Sequence, residues 1–470
     1  MAKRRGRRSR RQRRINSHRK IHRIIEGADF INSMPDEILR HILSFTTMDL
    51  AIRTSVLSRR WRHVWCEVPC LNFYTAARGI DETLVSYRAP KITSFRVWMP
   101  DSVVTAPPQV DSWVEFAMSR SVEKLTLANC RFYHPETYRF PDSFYLSSSL
   151  TQLTVVAFYV IPSCAVSWSS LRNLTLSFCN LYDDSVANML SGCPKLETLK
   201  LHHFAGLLER LDLTKSPSLA TLEIMRGFRR SGAMEIVAPH IHSLTLECSE
   251  EPSTLVNVSS LTEANLHIRM PIICSKSSFL QMAASLQTMV LKMLAGLQNV
   301  ERLTFGFGGT LLQIMTLAEL HGVPFPTLKV QTLTLETMFT GSVIPGIARL
   351  LQNSPGLKNL IVHATYSGKI RDKYMDFYFL SLRVKCWRSN YYVFPTSEEI
   401  NSMWGCNDAT SKLLASFMEL VLKNAKTLER MVVWLGGTDF DDDQWVEELR
   451  QMAGTLSHSN IVSIVIKRRN

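Results

Sequence analysis

The sequence predicts an α/β protein built from three successive pieces: a short helical unit, a long array of strand-forming repeats and a small α/β end piece. Three observations predict it. Apolar residues recur at helical spacing from Ile38 to Trp65. A six-residue phrase, apolar at its first, fourth and sixth positions, then returns ten times between Val122 and Val362. Behind it, helix-like and strand-like segments alternate up to Ile466.

Composition bounds what such a chain can be. Of its 470 residues, 46% are apolar and 20% charged, which is globular and excludes a mostly disordered or collagen-like chain. No run of about 18 apolar residues occurs, so no membrane span is expected. No apolar run follows the basic start, so no secretory leader is expected either. The ten cysteines are scattered without a CxxC pair, which predicts free thiols in a reducing compartment.

The net charge of +13 suggests a nucleic-acid binder until it is located. Residues 1–23 hold twelve Lys or Arg and no acid, which leaves about +1 for the rest of the chain. Residues 1–28 therefore read as a disordered basic tail, suited to nuclear import or to weak phosphate contact. The near-neutral body makes nucleic acid an unfavoured partner. Nucleus, cytoplasm or both are the expected locations.

The helical unit covers residues 29–73. Ser33 reads as a cap, Pro35 as a first-turn residue and Asp36 as the closing member of a capping box. Ile38, Leu39, Ile42, Leu43 and Phe45 follow as an apolar stripe. Thr47 or Asp49 caps a second helix over Leu50–Leu57, and Ser58 a third, in which Trp61 and Trp65 share one face. A unit of about 45 residues buries little surface alone, so it either packs on the following chain or offers an apolar face to a partner.

The stretches Ile31–Phe45 and Ala51–Trp65, with Pro-Asp-Glu-Ile-Leu, Arg-Thr-Ser-Val-Leu-Ser and the spaced tryptophans, resemble a plant-type F-box. Met34 stands where that family usually has Leu, a volume-conserving exchange, and Thr47 where a loop proline is common. The resemblance implies docking on a Skp-type adaptor and, through it, on a cullin scaffold. It carries over Met34, Pro35, Ile38, Leu39, Ile42, Val56, Leu57, Trp61 and Trp65 as adaptor-facing residues or as support for that face.

Residues 90–365 hold the repeats. Most phrase starts lie 20 to 30 residues apart, near the period of leucine-rich repeats. One such unit cannot bury its own apolar face, so stacking makes a continuous core. Asp183–Leu190 and Ile347–Leu351 read as returning helices, while residues 270–300 fit the repeat poorly. The fold class is thus a three-helix F-box, an irregular leucine-rich-repeat solenoid and an α/β end piece. Outward strand positions form the expected binding face. Lys200, His202, Glu223 and Glu247 are its candidate target contacts. The mixed, weakly charged chemistry favours a protein or peptide over a polyanion.

The end piece spans residues 385–470. Phe394–Glu399 reads as a loop and helix start, Lys412–Asn424 as a helix, Leu428–Val433 as a strand, Asp441–Leu449 as a helix and Ile461–Ile466 as a closing strand. The run Phe417–Val433 is similar to the FBD region found behind F-box and leucine-rich repeats in plant proteins.

No catalytic or metal motif accompanies these pieces: HExxH, GxSxG and the phosphate-loop pattern are all missing. Gly306–Gly309 reads as a turn, and Asp439 with Asp441–Asp443 as helix capping rather than a calcium loop. No cofactor or metal is expected. The resemblance to plant F-box proteins implies a non-catalytic, substrate-recognising subunit of a Skp-cullin-F-box ubiquitin ligase, with an unknown protein target. The alternative is a nuclear interaction scaffold that uses the same repeats outside any ligase.

Overall fold

The structure, a computed structural model, describes residues 31, 33–74, 77–99, 107–130, 138–226, 232–248, 253–268, 276–306, 310–320, 322–337, 343–365, 407–436, 443–460 and 462–468. The basic tail, the helix start at Phe394–Glu399, residues 307–309 and Asp439–Asp442 lie outside them. Chain contacts divide it into two compact units, Met1–Thr126 and Leu127–Asn470.

The first unit opens with α1 (Asp36–Leu43), α2 (Met48–Arg53) and α3 (Trp61–Val64), with 3₁₀ turns at Thr54–Val56 and Trp65–Glu67. β1 (Cys70–Phe73), α4 (Ala77–Ser86), β2 (Ser94–Met99) and α5 (Pro107–Ser119) follow. β1 and β2 pair in parallel, Cys70 facing Ser94 and Phe73 facing Val97. Trp113 is fully buried, and its indole N–H donates to Asp81 at 2.6 Å, so a large ring enters the core with its polar atom satisfied.

β3 (Lys124–Asn129) lies across the division. The second unit then holds β4 (Gln152–Val156), β5 (Asn173–Ser177), β6 (Thr198–His202), β7 (Arg210–Asp212), β8 (Thr221–Met225), β9 (Met234–Val237), β10 (Ser243–Cys248) and β11 (Ser253–Val256). β12 (Glu263–Ile268), β13 (Arg302–Gly306), β14 (Thr332–Thr337), β15 (Asn359–Thr365), β16 (Arg430–Gly436) and β17 (Ser463–Arg468) continue it. The helices are α6 (Asp142–Tyr145), α7 (Asp183–Ser191), α8 (Lys276–Gly296), α9 (Thr310–Leu320), α10 (Ile344–Gln352), α11 (Asn407–Asn424) and α12 (Asp443–Asn460). One parallel sheet runs β4-β5-β6-β8-β10-β12-β13-β14-β15-β16-β17.

The repeated phrase explains this ladder. Every strand from β4 onward in that sheet begins two residues after its phrase does. The first apolar residue therefore sits in the turn before the strand, as Leu171, Leu196, Leu219 and Leu357 do, each buried. The turn is closed the same way each time: Leu171 N–H donates to Trp168 O at 3.1 Å, and Leu357 N–H to Ser354 O at 3.1 Å. The other two apolar residues point inward along the strand, as in Leu174 and Leu176. Each repeat is stitched to the last by a shared carbonyl. Arg172 O accepts from Glu197 N–H (2.8 Å) and Thr198 N–H (2.9 Å), and Glu197 O accepts from Ala220 and Thr221 N–H, both 3.0 Å.

Small residues set helix spacing on the outer side. A Cβ on Gly346 would meet Leu312 O at 2.2 Å, so α10 crosses α9 at backbone contact. There the Gly346 N–H donates to Thr316 Oγ1 at 2.8 Å, satisfying a buried helix-start donor.

Several expectations are revised. Residues 270–300 fit the repeat poorly because Lys276–Gly296 form one long helix, α8. A second sheet, β11-β9-β7, was not foreseen; its strands are only three or four residues long. The described part of residues 385–470 extends the solenoid sheet rather than standing beside it. β16 pairs with β15 from Asn359↔Arg430 to Thr365↔Gly436, and β17 with β16. The last helix begins at Asp443 and runs to Asn460. Among the described residues no helix is long and apolar enough to cross a membrane.

Candidate functional site

Two surfaces carry the sequence-derived candidates. The first is the α1–α3 unit. α1 does not start as expected: its N-cap is Pro35, without a side-chain cap bond. Arg60 holds this end instead. Its guanidinium donates to Asp36 Oδ1 through Nε at 2.9 Å, and its Nη2 donates to the Met34 carbonyl. Thr47 caps α2, accepting from Leu50 N–H at 3.4 Å, and Ser58 accepts from Trp61 N–H at 3.4 Å. Arg40 pairs with Glu67 at 2.6 Å, and Asn72 Nδ2 donates to Thr46 O at 3.1 Å.

These contacts sort the nine carried-over residues. Leu39, Trp61 and Trp65 are interior, with Leu39 at 0% exposure. They support the surface and do not form it, because α1 and α3 bury these faces with Leu43, Met48 and Val64. Ile38, Ile42, Val56 and Leu57 are exposed, Val56 at 85% and Leu57 at 64%. Pro35 is exposed and Met34 partly so. Sequence reasoning missed Ile31, Phe45 and Leu50, which are also exposed. Spacing did carry a signal: Leu50 precedes the buried Ala51, and Phe45 follows α1 beyond the buried Leu43.

The second surface is the outward side of the parallel strands. Lys200 Nζ lies 2.6 Å from Glu223 Oε2, and His202 Nε2 lies 3.0 Å from Glu223 Oε1. β6–β8 register places Lys200 opposite Glu223. Burial pushes the His202 imidazole below its ordinary value, against the pull of Glu223. Burial works to raise the Glu223 carboxyl, but Lys200 and His202 outweigh it and hold it below the usual range. Glu247 is a correction. It is 0% exposed, in a buried polar cluster with Arg226 and Ser253, and cannot touch a target from solvent. Strand alternation alone put it outward; the burial of Arg226 and Ser253 along with it shows that the sheet face is covered there.

Neither surface gathers a catalytic constellation. Among the described residues no group of three His, Cys, Asp or Glu side chains could hold a metal ion. Cys179 and Cys193 are buried, and burial pushes both thiols up to about 12, so they are core residues.

Comparison with known proteins adds the family. Residues 31–73 match the F-box domain. Residues 110–268 match the leucine-rich repeats of the FBD-associated F-box protein At5g56370. The Arabidopsis thaliana F-box/LRR-repeat protein At3g28410 is 59% identical over 476 residues, which cover 100% of both chains. The chain belongs to the F-box/LRR-repeat family. Two further members from Arabidopsis thaliana are At5g02700, 59% identical over 96% of each chain, and At5g02910, 48% identical over 94% of this chain and 96% of its own. As an F-box/LRR-repeat protein, the chain carries its F-box on α1–α3 and its repeats on the parallel sheet.

Proposed function

We propose that this protein is the substrate-recognising, non-catalytic subunit of a Skp-cullin-F-box ubiquitin ligase. The α1–α3 unit docks on a Skp-type adaptor, which joins the cullin scaffold. The repeat face holds a protein target near the ubiquitin-charged enzyme. Its contribution is proximity: tethering raises the local concentration of target at the transfer site without new bond chemistry in this chain.

One observation carries the reading. Seven large apolar side chains (Ile31, Ile38, Ile42, Phe45, Leu50, Val56 and Leu57) stay exposed within 27 residues that also bury a tight core. Withdrawing such a side chain fully from water contributes roughly 1.5–3 kcal/mol, and several together are needed to offset the cost of association. On the repeat face, Lys200, His202 and Glu223 are candidate target contacts. The basic residues 1–23 suit nuclear import.

The test is binding of the purified full chain to a Skp-type adaptor by titration calorimetry, beside a Val56→Asp, Leu57→Asp variant. Wild-type binding that the variant loses, with its melting temperature unchanged, supports the reading. A folded wild-type chain that ignores the adaptor overturns it and favours a scaffold outside any ligase. In cells, target half-life separates the two, because only a ligase subunit shortens it.

A further inference from the structure

The strand register arranges outward side chains in rows across the sheet, and one row changes character along it. From β4 to β14 its members are Thr154, Thr175, Lys200, Glu223, Thr245, Asn265, Thr304 and Thr334. All are polar, and Lys200 and Glu223 neutralise one another at 2.6 Å. On β15, β16 and β17 the same row reads Ile361, Val432, Val465. These sit on the polar-facing side of a sheet whose core is already supplied by Leu360, Val362, Met431 and Val433. Ile361 and Val465 remain partly exposed, with Val432 between them at 7%.

The flanking rows are cationic and aromatic. On one side stand Asn359, Arg430 and Ser463; on the other His363, Trp434 and Lys467. Trp434 is stacked on His363, with centroids 6.0 Å apart and planes at 11°, and Lys467 Nζ lies 4.9 Å from its ring centroid. None of these nine positions is acidic. Arg430 and Lys467 are exposed, and among the described residues neither is within ion-pair distance of a carboxylate. On other strands of the second unit Arg302 is matched by Glu263 at 3.2 Å and Lys200 by Glu223 at 2.6 Å.

We propose that the outward face of β15–β17 is the target-docking subsite, and that it takes an acidic linear segment of a partner protein with aliphatic or aromatic side chains between its carboxylates. The apolar side chains settle on the Ile361–Val432–Val465 row. The carboxylates meet Arg430 and Lys467, which among the described residues lie within ion-pair distance of no carboxylate. This rests on the reading of the repeats as a target-binding face and names where on it, and for what chemistry. Nucleic acid would also meet the cations, but the aliphatic row offers no stacking platform and Trp434 is already sandwiched.

The test uses the full chain purified with its adaptor and three fluorescein-labelled probes read by anisotropy. Two are twelve-residue peptide pools alternating Leu, Ile, Val or Phe with Asp and Glu, or with Lys and Arg. The third is a twelve-nucleotide single-stranded DNA. The expected result is at least tenfold tighter binding of the acidic pool. An Arg430→Glu, Lys467→Glu variant should lose that preference tenfold or more, while Thr175→Asp, far along the sheet, changes it less than twofold. Adaptor binding stays intact in both variants, which shows that they are folded. Equal binding of both pools, no binding of the acidic pool, or DNA binding as tight as the acidic pool overturns the proposal. If the acidic pool binds but Lys200→Glu abolishes it instead of the charge reversal, the target face stands and this location on it falls. Loss of adaptor binding by the wild-type chain would instead strike the ligase reading alone.

Discussion

Arg60 does for α1 what a capping side chain does elsewhere. It bridges the Met34 carbonyl and the Asp36 carboxylate, 24 and more residues away in sequence, and so fixes the loop that presents Pro35. A charged hydrogen bond contributes about 1.5–3 kcal/mol when sheltered and less at a half-exposed site such as this. Arg60→Ala is therefore expected to lower stability by about 1 kcal/mol and to weaken adaptor binding, measured by chemical denaturation and calorimetry on the same sample. Arg60→Lys should restore little, since an ammonium cannot span both acceptors in a fixed fork. Nothing in the local sequence pointed to Arg60, because helix-start rules look a few residues away and this clamp is long-range. His202 offers a second residue-scale test. Its folded-state value lies below the ordinary 6.5, so folding disfavours its protonation. The stability it contributes is present above about pH 6.5 and is lost as the pH falls through the folded value. Glu223, also lowered, acts in the same direction at more acidic pH. An NMR titration of the imidazole should find a midpoint below 6.5, moved lower still by Glu223→Gln.

Among the elements, α1 and the 3₁₀ turn after α2 divide labour between core and surface. Leu39 and Leu43 point inward while Ile38 and Ile42 point outward. Leu39→Ala should cost about 2–5 kcal/mol by leaving a cavity, whereas Ile42→Asp should leave the melt nearly unchanged and abolish adaptor capture. A pulldown beside a thermal melt separates the two outcomes. Periodicity read the stripe correctly but could not divide it, because Ile38 and Ile42 adjoin Leu39 and Leu43 on one apolar face and only the leucines are buried. The tryptophans fall on the supporting side: Trp61 and Trp65 share a face, and that face is interior. At the α9–α10 crossing the limiting factor is space. Gly346→Ala would press a methyl group onto the Leu312 carbonyl. Overpacking of this kind typically costs about 1–3 kcal/mol. Differential scanning calorimetry should show a lowered transition, with faster amide exchange in α10.

Across the whole molecule, the solenoid's legibility and the division of its end piece from the repeats share a cause. The phrase with three apolar positions encodes a turn residue and two inward strand residues, so its recurrence gave each strand start. The phrase recurs at Leu428–Val433 in the end piece, where β16 forms, and the last strand starts two residues after Ile461 as the rule requires. Taken as repeats, these strands extend the array. Taken by pattern, they formed an end piece of their own, because residues 366–406 interrupt the period. The structure joins them: β15 pairs along its length with β16. An interrupted repeat still has to bury the inward side of its neighbour, and Leu360, Val362, Met431 and Val433 do so together. Stability in such arrays is a sum of unit terms and nearest-neighbour interfaces. Deleting residues 407–470 therefore removes two strands and two helices and also bares the edge and inner face of β15. The truncated chain is expected to melt at least about 5 °C lower, to aggregate through the exposed edge and to lose amide protection in β14 and β15. A separately folding end piece would leave the repeats' melting and protection as they are in the full chain, so hydrogen exchange on the two chains decides between a continuous solenoid and an appended domain.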